Sequence, residues 1–266
     1  MVMQKFIKQH IDDRGIATIT LNRADVHNAF NADLIAELDN SFSTLGKNDT
    51  VRAIILTGAG KSFSAGADLN WMKKAANSSQ EDNYEDALRL SNMLYTVYQC
   101  PKPTIALVNG PAFGGGVGLV ACCDIAIAVR SAAFSLSEVK LGLAPSTISP
   151  FVIEAMGART CKRLFITAER FTPEKAKFWG LVSEVASDVD YAQAVIEGLI
   201  SNILAGGPHA QASTKALIHS IAGREIDTNL RQETARHIAE RRASEEGKEG
   251  LEAFLGKRPP NWVKKS

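Results

Sequence analysis

The sequence predicts an α/β fold in which helices cover a partly parallel sheet, followed by a mostly helical second half. In the first half of the 266 residues, short β-rich runs alternate with stretches whose apolar residues recur at helical spacing. From about Thr160 the helical patterns take over, broken by Gly180 and by Gly206–Pro208. Apolar residues make up 45% and charged residues 22% of the chain, which is typical of one large globular domain, with or without a helical appendage.

The individual elements follow from local patterns. Four β-branched, apolar runs predict strands at Ile16–Leu21, Arg52–Thr57, Thr104–Val108 and Asp124–Val129. Helical spacing of apolar residues begins at Leu34. It recurs around Ala87–Tyr98, where Leu90, Met93, Leu94 and Val97 stand at i, i+3, i+4 and i+7. Strands separated by helices in this way indicate a sheet with parallel neighbours.

Charge and composition exclude several classes of function. The net charge of +1 gives no strong field to attract nucleic acid or a membrane surface, and no apolar run reaches transmembrane length. The first residues, MVMQKFIKQH, lack the apolar segment of a signal peptide and the Arg-rich pattern of a transit peptide, so a cytoplasmic protein is expected. The four cysteines form no CxxC pair and the five histidines show no ligand spacing, so no metal is expected.

Two glycine-rich turns share one design. Residues 62–69, SFSAGADL, and residues 109–118, NGPAFGGGVG, each lead from a predicted strand through small residues into a helix. Small residues let the backbone approach a ligand closely, and a helix N-terminus presents unpaired N–H groups. Brought together, the two turns can direct two N–H groups at one oxygen, as the enolate of a thioester requires. Each such donor stabilises a transition state by about 3–4 kcal/mol.

Spacing alone leaves other interpretations of these turns open. The glycines are also compatible with tight packing of strand against helix. The second turn has spacing similar to G-x-G-x-x-G, but no Lys-Ser or Lys-Thr follows as in a phosphate-binding P-loop. A dinucleotide site needs an acidic residue about 20 residues further on, after the next strand. Glu138 is the only match near that distance, and it lies beyond Phe134–Ser137.

The sequences of the two turns resemble the two oxyanion signatures of the crotonase family, which comprises enoyl-CoA hydratases and isomerases. Residues 62–69 resemble the first signature, and residues 109–128, NGPAFGGGVGLVACCDIAIA, resemble the second. Three further segments resemble family elements in the family's order: residues 21–29, residues 176–185 (AKFWGLVSEV) and residues 249–262 (EGLEAFLGKRPPNW). The resemblance therefore extends over nearly the whole chain.

The resemblance implies a fold and an assembly. Crotonases are spirals of ββα units followed by a C-terminal helical trimerisation region. Applied to this chain, residues 1–200 are expected to form the core with the acyl-CoA site. Residues 201–266 are expected to form the helical region for oligomerisation and coenzyme A contact, in a homotrimer or a dimer of trimers.

The resemblance also assigns the binding residues. The oxyanion hole is implied at the N–H groups of Ala67 and Gly115. Coenzyme A is part of the acyl-CoA substrate, and no separate cofactor is expected. The implied substrate-binding residues are Val26, Ala29, Ala65, Asp68, Leu69, Gly114, Ser137, Phe254 and Lys257, the last two often serving a neighbouring subunit.

The acid–base group is the most informative position. Hydratases that resemble this chain carry two glutamates, one to activate water and one to protonate the α-carbon. Glu138 fills the second position, whereas Gly118 stands at the first. The sequence therefore predicts Glu138 as catalytic residue of a hydratase, with water held by Ser137 or by hydroxyls of residues 146–149. The alternative is a Δ3,Δ2-enoyl-CoA isomerase, in which one glutamate moves a proton between two carbons.

Three segments together look similar to one branch of the family: residues 113–119 (FGGGVGL), the CCD triplet at 122–124, and residues 135–151 (SLSEVKLGLAPSTISPF). That branch includes methylglutaconyl-CoA and carboxygeranoyl-CoA hydratases, which act on branched acyl groups in leucine and acyclic terpene breakdown. A dehalogenase of this family needs a nucleophilic Asp where Ser146 stands, so that activity is not expected. RNA binding, known for some relatives, is not expected either, because basic residues are interleaved with acidic ones, as in ERRASEEGKEG.

Overall fold

The computed structural model describes residues 6–263; residues 1–5, part of the segment considered for a signal or transit peptide, lie outside this range. Its strands are β1 Ile7–Ile11, β2 Ile16–Leu21, β3 Ala53–Gly58, β4 Thr104–Val108, β5 Ala112–Phe113, β6 Ile125–Val129, β7 Phe134–Ser135 and β8 Glu184–Ala186. Its α-helices are α1 Ala32–Lys47, α2 Leu69–Ala76, α3 Gln80–Tyr98, α4 Gly115–Cys122, α5 Ser149–Thr167, α6 Pro173–Phe178, α7 Val189–Ala205, α8 Pro208–Ile221, α9 Thr228–Ala243 and α10 Glu245–Leu255. Short 3₁₀ helices span Ala24–Val26 and Glu138–Leu141.

The main sheet has six strands in the order β1-β2-β3-β4-β6-β8. The β1–β2 pair is antiparallel, and every other pair in the sheet is parallel. β5 and β7 form a separate parallel pair beside it. The predicted α/β fold with a partly parallel sheet is therefore confirmed.

Burial explains which elements the sequence predicted well. The predicted strands at Ile16–Leu21 and Thr104–Val108 agree with β2 and β4 to the residue, and all five residues of β4 are buried. The prediction at Arg52–Thr57 is shifted by one residue at both ends of β3, and the prediction at Asp124–Val129 begins one residue before β6. β1 was not predicted, because three of its five residues are exposed and its pattern carries little apolar signal.

The second half is mostly helical, as predicted, but its first part still belongs to the sheet. β8 pairs with β6, and α7 packs against β4, β6 and β8. The boundary placed between residues 200 and 201 falls inside α7, which continues to Ala205. Within residues 6–263, no helix combines the length and apolar character that a membrane crossing requires.

Arg52 ties the C-terminal end of α7 to the start of β3. Its guanidinium donates hydrogen bonds to the carbonyl oxygens of Ile203 at 3.3 Å, Gly206 at 2.7 Å and Trp262 at 3.3 Å. The Trp262 indole in turn donates to the carbonyl of Ala205 at 3.0 Å. The last carbonyls of a helix have no partner within the helix, so the bonds to Ala205 and Gly206 satisfy groups that would otherwise be unpaired, whereas the Ile203 carbonyl also accepts from Gln211 at 2.7 Å.

Replacing Arg52 by methionine is therefore expected to lower the free energy of unfolding by about 2–3 kcal/mol, because methionine keeps the length of the chain but donates to none of these carbonyls. Urea denaturation of both proteins at equal concentration measures the difference. Arg52→Lys, which keeps the charge and loses the planar fork of donors, should fall between them. A methionine variant as stable as the original chain would show that water replaces the guanidinium without cost.

Candidate active site

The first glycine turn is fixed by hydrogen bonds to residues 27–30. The Phe30 N–H donates to the Gly66 carbonyl at 2.6 Å, and the Asp68 N–H donates to the Phe30 carbonyl at 2.9 Å. The buried Ser64 hydroxyl donates to the Asn28 carbonyl at 2.9 Å. The turn is therefore held on one side almost entirely by main-chain atoms.

The second glycine turn lies against the first. The Phe113 N–H donates to the Ser64 carbonyl at 2.9 Å, and Ser64 and Ala112 form a parallel bridge. A β-carbon on Gly116 would lie 2.6 Å from the Ser64 oxygen, and one on Gly66 would lie 2.9 Å from the Phe113 oxygen. Only glycines permit two backbones to approach this closely. The two turns that the sequence singled out are brought together.

The predicted oxyanion donors, Ala67 and Gly115, are both free to donate. In the parallel bridge between Phe30 and Ala67, the Phe30 N–H donates to the Gly66 carbonyl, and the Phe30 carbonyl accepts from the Asp68 N–H. The Ala67 N–H therefore points away from Phe30. Gly115 is the first residue of α4, where an N–H has no partner within the helix. Within residues 6–263 neither N–H has an acceptor, and both residues line the same cleft.

Glu138 lies at this cleft, directly beside the second turn. The β5–β7 pair and the Gly114 N–H, which donates to the Ser135 carbonyl at 2.9 Å, place Glu138 three positions further along the chain. A β-carbon on Gly114 would lie 3.0 Å from Glu138 Oε1, so the carboxylate touches the turn itself. Burial raises the pKa of Glu138, and its buried Oε2 has no hydrogen-bond partner in the described residues. The carboxyl group is positioned to exchange a proton with a bound substrate.

Gly118, the position at which the family resemblance implies the other glutamate of a hydratase, is buried and covered by Ile148. A β-carbon on Gly118 would lie 2.4 Å from Ile148 Cγ2 and 2.9 Å from Ile148 Cβ. Ile148, 2% exposed, lines the cleft in place of a second carboxylate. The sequence revealed the glycine but not the isoleucine that fills its space.

The cleft has a volume of about 220 Å³ and is mostly apolar. Glu138 is the one titratable side chain among its lining residues. Ser137 and Thr147 also line it, and their hydroxyls have no partner in the part of the chain that the structure describes. Lining residues that sequence reasoning missed are Phe30, Trp71, Met72, Leu90, Leu141 and Leu143.

The predicted substrate-binding residues occupy three different environments. Ala65, Gly114 and Ser137 line the cleft. Val26, Ala29, Asp68 and Leu69 belong to the segments that flank it, and Leu69 is 74% exposed. Phe254 and Lys257 do not line the cleft within one chain, and Phe254 is 80% exposed at the end of α10.

Asp68 has a definite structural role. Its Oδ1 accepts from the Asn70 N–H at 2.8 Å and so caps α2, and its Oδ2 pairs with Arg23 at 2.8 Å. Burial opposes the charged form, but the Arg23 guanidinium and the cap N–H groups outweigh it and lower the pKa of Asp68. Both carboxylate oxygens are engaged within the chain, so the side chain anchors α2 next to the first turn.

Known proteins are similar to this chain in sequence and in fold. The sequence model of the Enoyl-CoA hydratase/isomerase family matches residues 12–265. The 1,2-epoxyphenylacetyl-CoA isomerase of Escherichia coli is 32% identical over 266 residues, covering 99% of this chain and all of that protein. A crystal structure of an enoyl-CoA hydratase from Shewanella pealeana superposes with a TM-score of 0.93 at 42% identity, covering 97% of this chain and 96% of that one. AtuE of Pseudomonas aeruginosa superposes with a TM-score of 0.92 at 33% identity, covering 97% and 100%.

Proposed function

Because the chain belongs to the enoyl-CoA hydratase/isomerase family, we propose that it adds water across the 2,3 double bond of an acyl-CoA thioester. The observation that carries this proposal is the position of the Glu138 carboxylate, partly buried at the cleft beside two unpaired N–H groups. The reaction needs no cofactor other than the coenzyme A of the substrate.

The proposed reaction uses one carboxylate twice. The thioester carbonyl oxygen accepts hydrogen bonds from the N–H groups of Ala67 and Gly115, which polarise the conjugated double bond. Glu138 takes a proton from water as the water oxygen bonds to C3, and the electron pair moves through C2 to the carbonyl oxygen as an enolate. The same glutamic acid then gives its proton to C2, so one water is added and the carboxylate is restored.

Two hydroxyls take over the task of the absent second glutamate in this proposal. Ser137 and Thr147 line the cleft, and their side-chain hydroxyls have no hydrogen-bond partner within residues 6–263. A hydroxyl is both a donor and an acceptor, so either can orient the attacking water toward C3 while Glu138 removes the proton.

We assign a branched acyl group of the methylglutaconyl-CoA type to this site. The support is the resemblance of residues 113–119, 122–124 and 135–151 to the branch that hydrates such substrates. The cytoplasm is the proposed location. A homotrimer or dimer of trimers is proposed as the assembly, in which neighbouring chains cover exposed apolar side chains of the C-terminal region such as Ile226, Phe254 and Leu255.

Isomerisation of a 3-enoyl-CoA is the second candidate. It is favoured by the single carboxylate in the cleft and by Ile148, which occupies the space of a second one. One carboxylate is sufficient to remove a proton from C2 and return it to C4, and no water is needed.

Reactions in water enriched in ¹⁸O separate the two. With crotonyl-CoA or 3-methylglutaconyl-CoA, we expect loss of the absorbance of the conjugated thioester and one labelled oxygen in the product. The isomerase hypothesis predicts the opposite result: conversion of a 3-enoyl-CoA increases the absorbance of the conjugated thioester, and the product carries no labelled oxygen. Failure to hydrate any 2-enoyl-CoA in a panel of straight and branched thioesters would refute the hydratase.

A further inference from the structure

One side of the cleft is formed by a short helix with little packing of its own. Trp71 and Met72 of α2 line the cleft, and α3 adds Leu90. α2 has eight residues, none of them buried. An isolated helix of this length is not stable in water, so α2 depends on its contacts with the rest of the chain.

Two polar contacts attach α2 to α3. The indole N–H of Trp71, near the N-terminal end of α2, donates to Oδ2 of Asp86 in α3. The Asn83 amide donates to the Ala75 carbonyl at 3.0 Å, at the C-terminal end of α2. Arg89 also donates to the other oxygen of Asp86 at 3.1 Å, but its side chain is 61% exposed, so this pair contributes little.

The bond to Asp86 fixes the orientation of a large side chain in the cleft. The indole of tryptophan has one donor, and a bond from it to an ionised carboxylate is stronger than a bond between neutral groups. The Asp86 side chain is 24% exposed, which leaves the bond partly protected from water. Without its acceptor, the ring can rotate about its side-chain bonds and enlarge this side of the cleft.

We propose that Asp86 is a positioning residue that holds Trp71 against one side of the cleft and so restricts the enzyme to short or branched acyl groups. This inference rests on the proposed acyl-CoA function. The apolar character of Trp71, Met72 and Leu90 agrees with an acyl group on this side of the cleft. Asp86 acts through Trp71 and does not line the cleft itself.

The test compares dissociation constants of two saturated, unreactive thioesters, butanoyl-CoA and octanoyl-CoA, by titration calorimetry. Asp86→Ala is expected to shift the ratio of the two constants about tenfold in favour of octanoyl-CoA. Trp71→Phe, which removes the donor and keeps a ring, should give a shift of the same sign, and the double variant should add nothing to it. In turnover, KM for long 2-enoyl substrates should fall while kcat for crotonyl-CoA changes less than about threefold.

Two control variants separate positioning from general damage. Asp86→Asn keeps an acceptor oxygen for the indole and should retain most of the original preference. Arg89→Ala removes the second partner of Asp86 and should shift the ratio less than about twofold. An unchanged ratio of dissociation constants in Asp86→Ala, or an equal shift in Arg89→Ala, would overturn the positioning role of Asp86 and leave the proposed acyl-CoA function standing. If the original chain binds neither thioester, the proposed acyl-CoA function fails, and this inference fails with it.

Discussion

Replacing Glu138 by glutamine is expected to reduce kcat for hydration by about 10²–10⁴-fold, with a much smaller change in the affinity for saturated acyl-CoA. Glutamine has nearly the same shape but can neither accept nor return the proton. The lining residues of the cleft offer no second titratable group to replace it. Steady-state kinetics with a 2-enoyl-CoA and calorimetry with butanoyl-CoA measure the two quantities. Glu225→Gln, the same change at an exposed loop position, is the matched control and should be fully active.

The same variant is expected to be more stable than the original chain at neutral pH. Burial raises the folded-state pKa of Glu138 above its unfolded value, so the fold disfavours the carboxylate. This penalty is absent below the unfolded pKa, grows as the pH rises through the folded pKa, and is complete above it. The gain in denaturation midpoint should therefore be present at pH 7 and vanish near about pH 4. A variant that loses stability at pH 7 would contradict the desolvation of this carboxyl.

The pH dependence of activity follows from the same shift. Hydration requires the ionised form of Glu138, so kcat/KM should fall as the pH is lowered through a pKa above that of an ordinary glutamate. A midpoint at or below the ordinary value would show that another group controls the reaction.

Introducing a glutamate at Gly118 is expected to lower the free energy of unfolding by about 3 kcal/mol or more. Its β-carbon would lie 2.4 Å from Ile148 Cγ2, in a buried space that offers a carboxylate no room. Urea denaturation gives the difference. Gly118→Ala, which adds the β-carbon alone, should lose about 1–3 kcal/mol.

Room for the second carboxylate requires glycine at position 148. Alanine would keep the Ile148 β-carbon, which lies only 2.9 Å from a β-carbon on Gly118. The double variant Gly118→Glu/Ile148→Gly should therefore recover part of the stability lost in Gly118→Glu, whereas Gly118→Glu/Ile148→Ala should recover less. The Gly118→Glu/Ile148→Gly variant should also hydrate crotonyl-CoA faster than either of its single variants. A Gly118→Glu chain as stable as the original would show that α5 moves aside and that the steric interpretation is wrong.

The parts of the fold that the sequence predicted are those whose local pattern reflects burial. β2 and β4 are buried along most or all of their length, so their apolar runs marked both ends. α3 was predicted from Ala87 but begins at Gln80, because residues 80–86 are polar or exposed and carry no apolar spacing. Hydrophobic periodicity does not mark the end of a helix or strand when that end is exposed to solvent.

The candidate site divides in the same way. The two turns were recognisable because a close approach of two backbones restricts a position to glycine, and these glycines can be identified directly in the sequence. Ile148 and Trp71 were missed because their roles depend on contacts with Gly118 and Asp86, which are distant or unremarkable in sequence. Such contacts are set by tertiary packing, and no local pattern encodes them.

The junction of residues 27–30 with the two glycine turns has a consequence for how this enzyme can change through mutation. Its donors, the N–H groups of Ala67 and Gly115, belong to the main chain, and most of the bonds that align them join main-chain atoms. Substituting a neighbouring side chain therefore leaves both donors present. In the proposed mechanism, the side chains that select the acyl group and move the proton, at positions 71 and 138, can therefore vary around an unchanged pair of donors. On that mechanism, new reactions of acyl thioesters become accessible to this chain through few mutations.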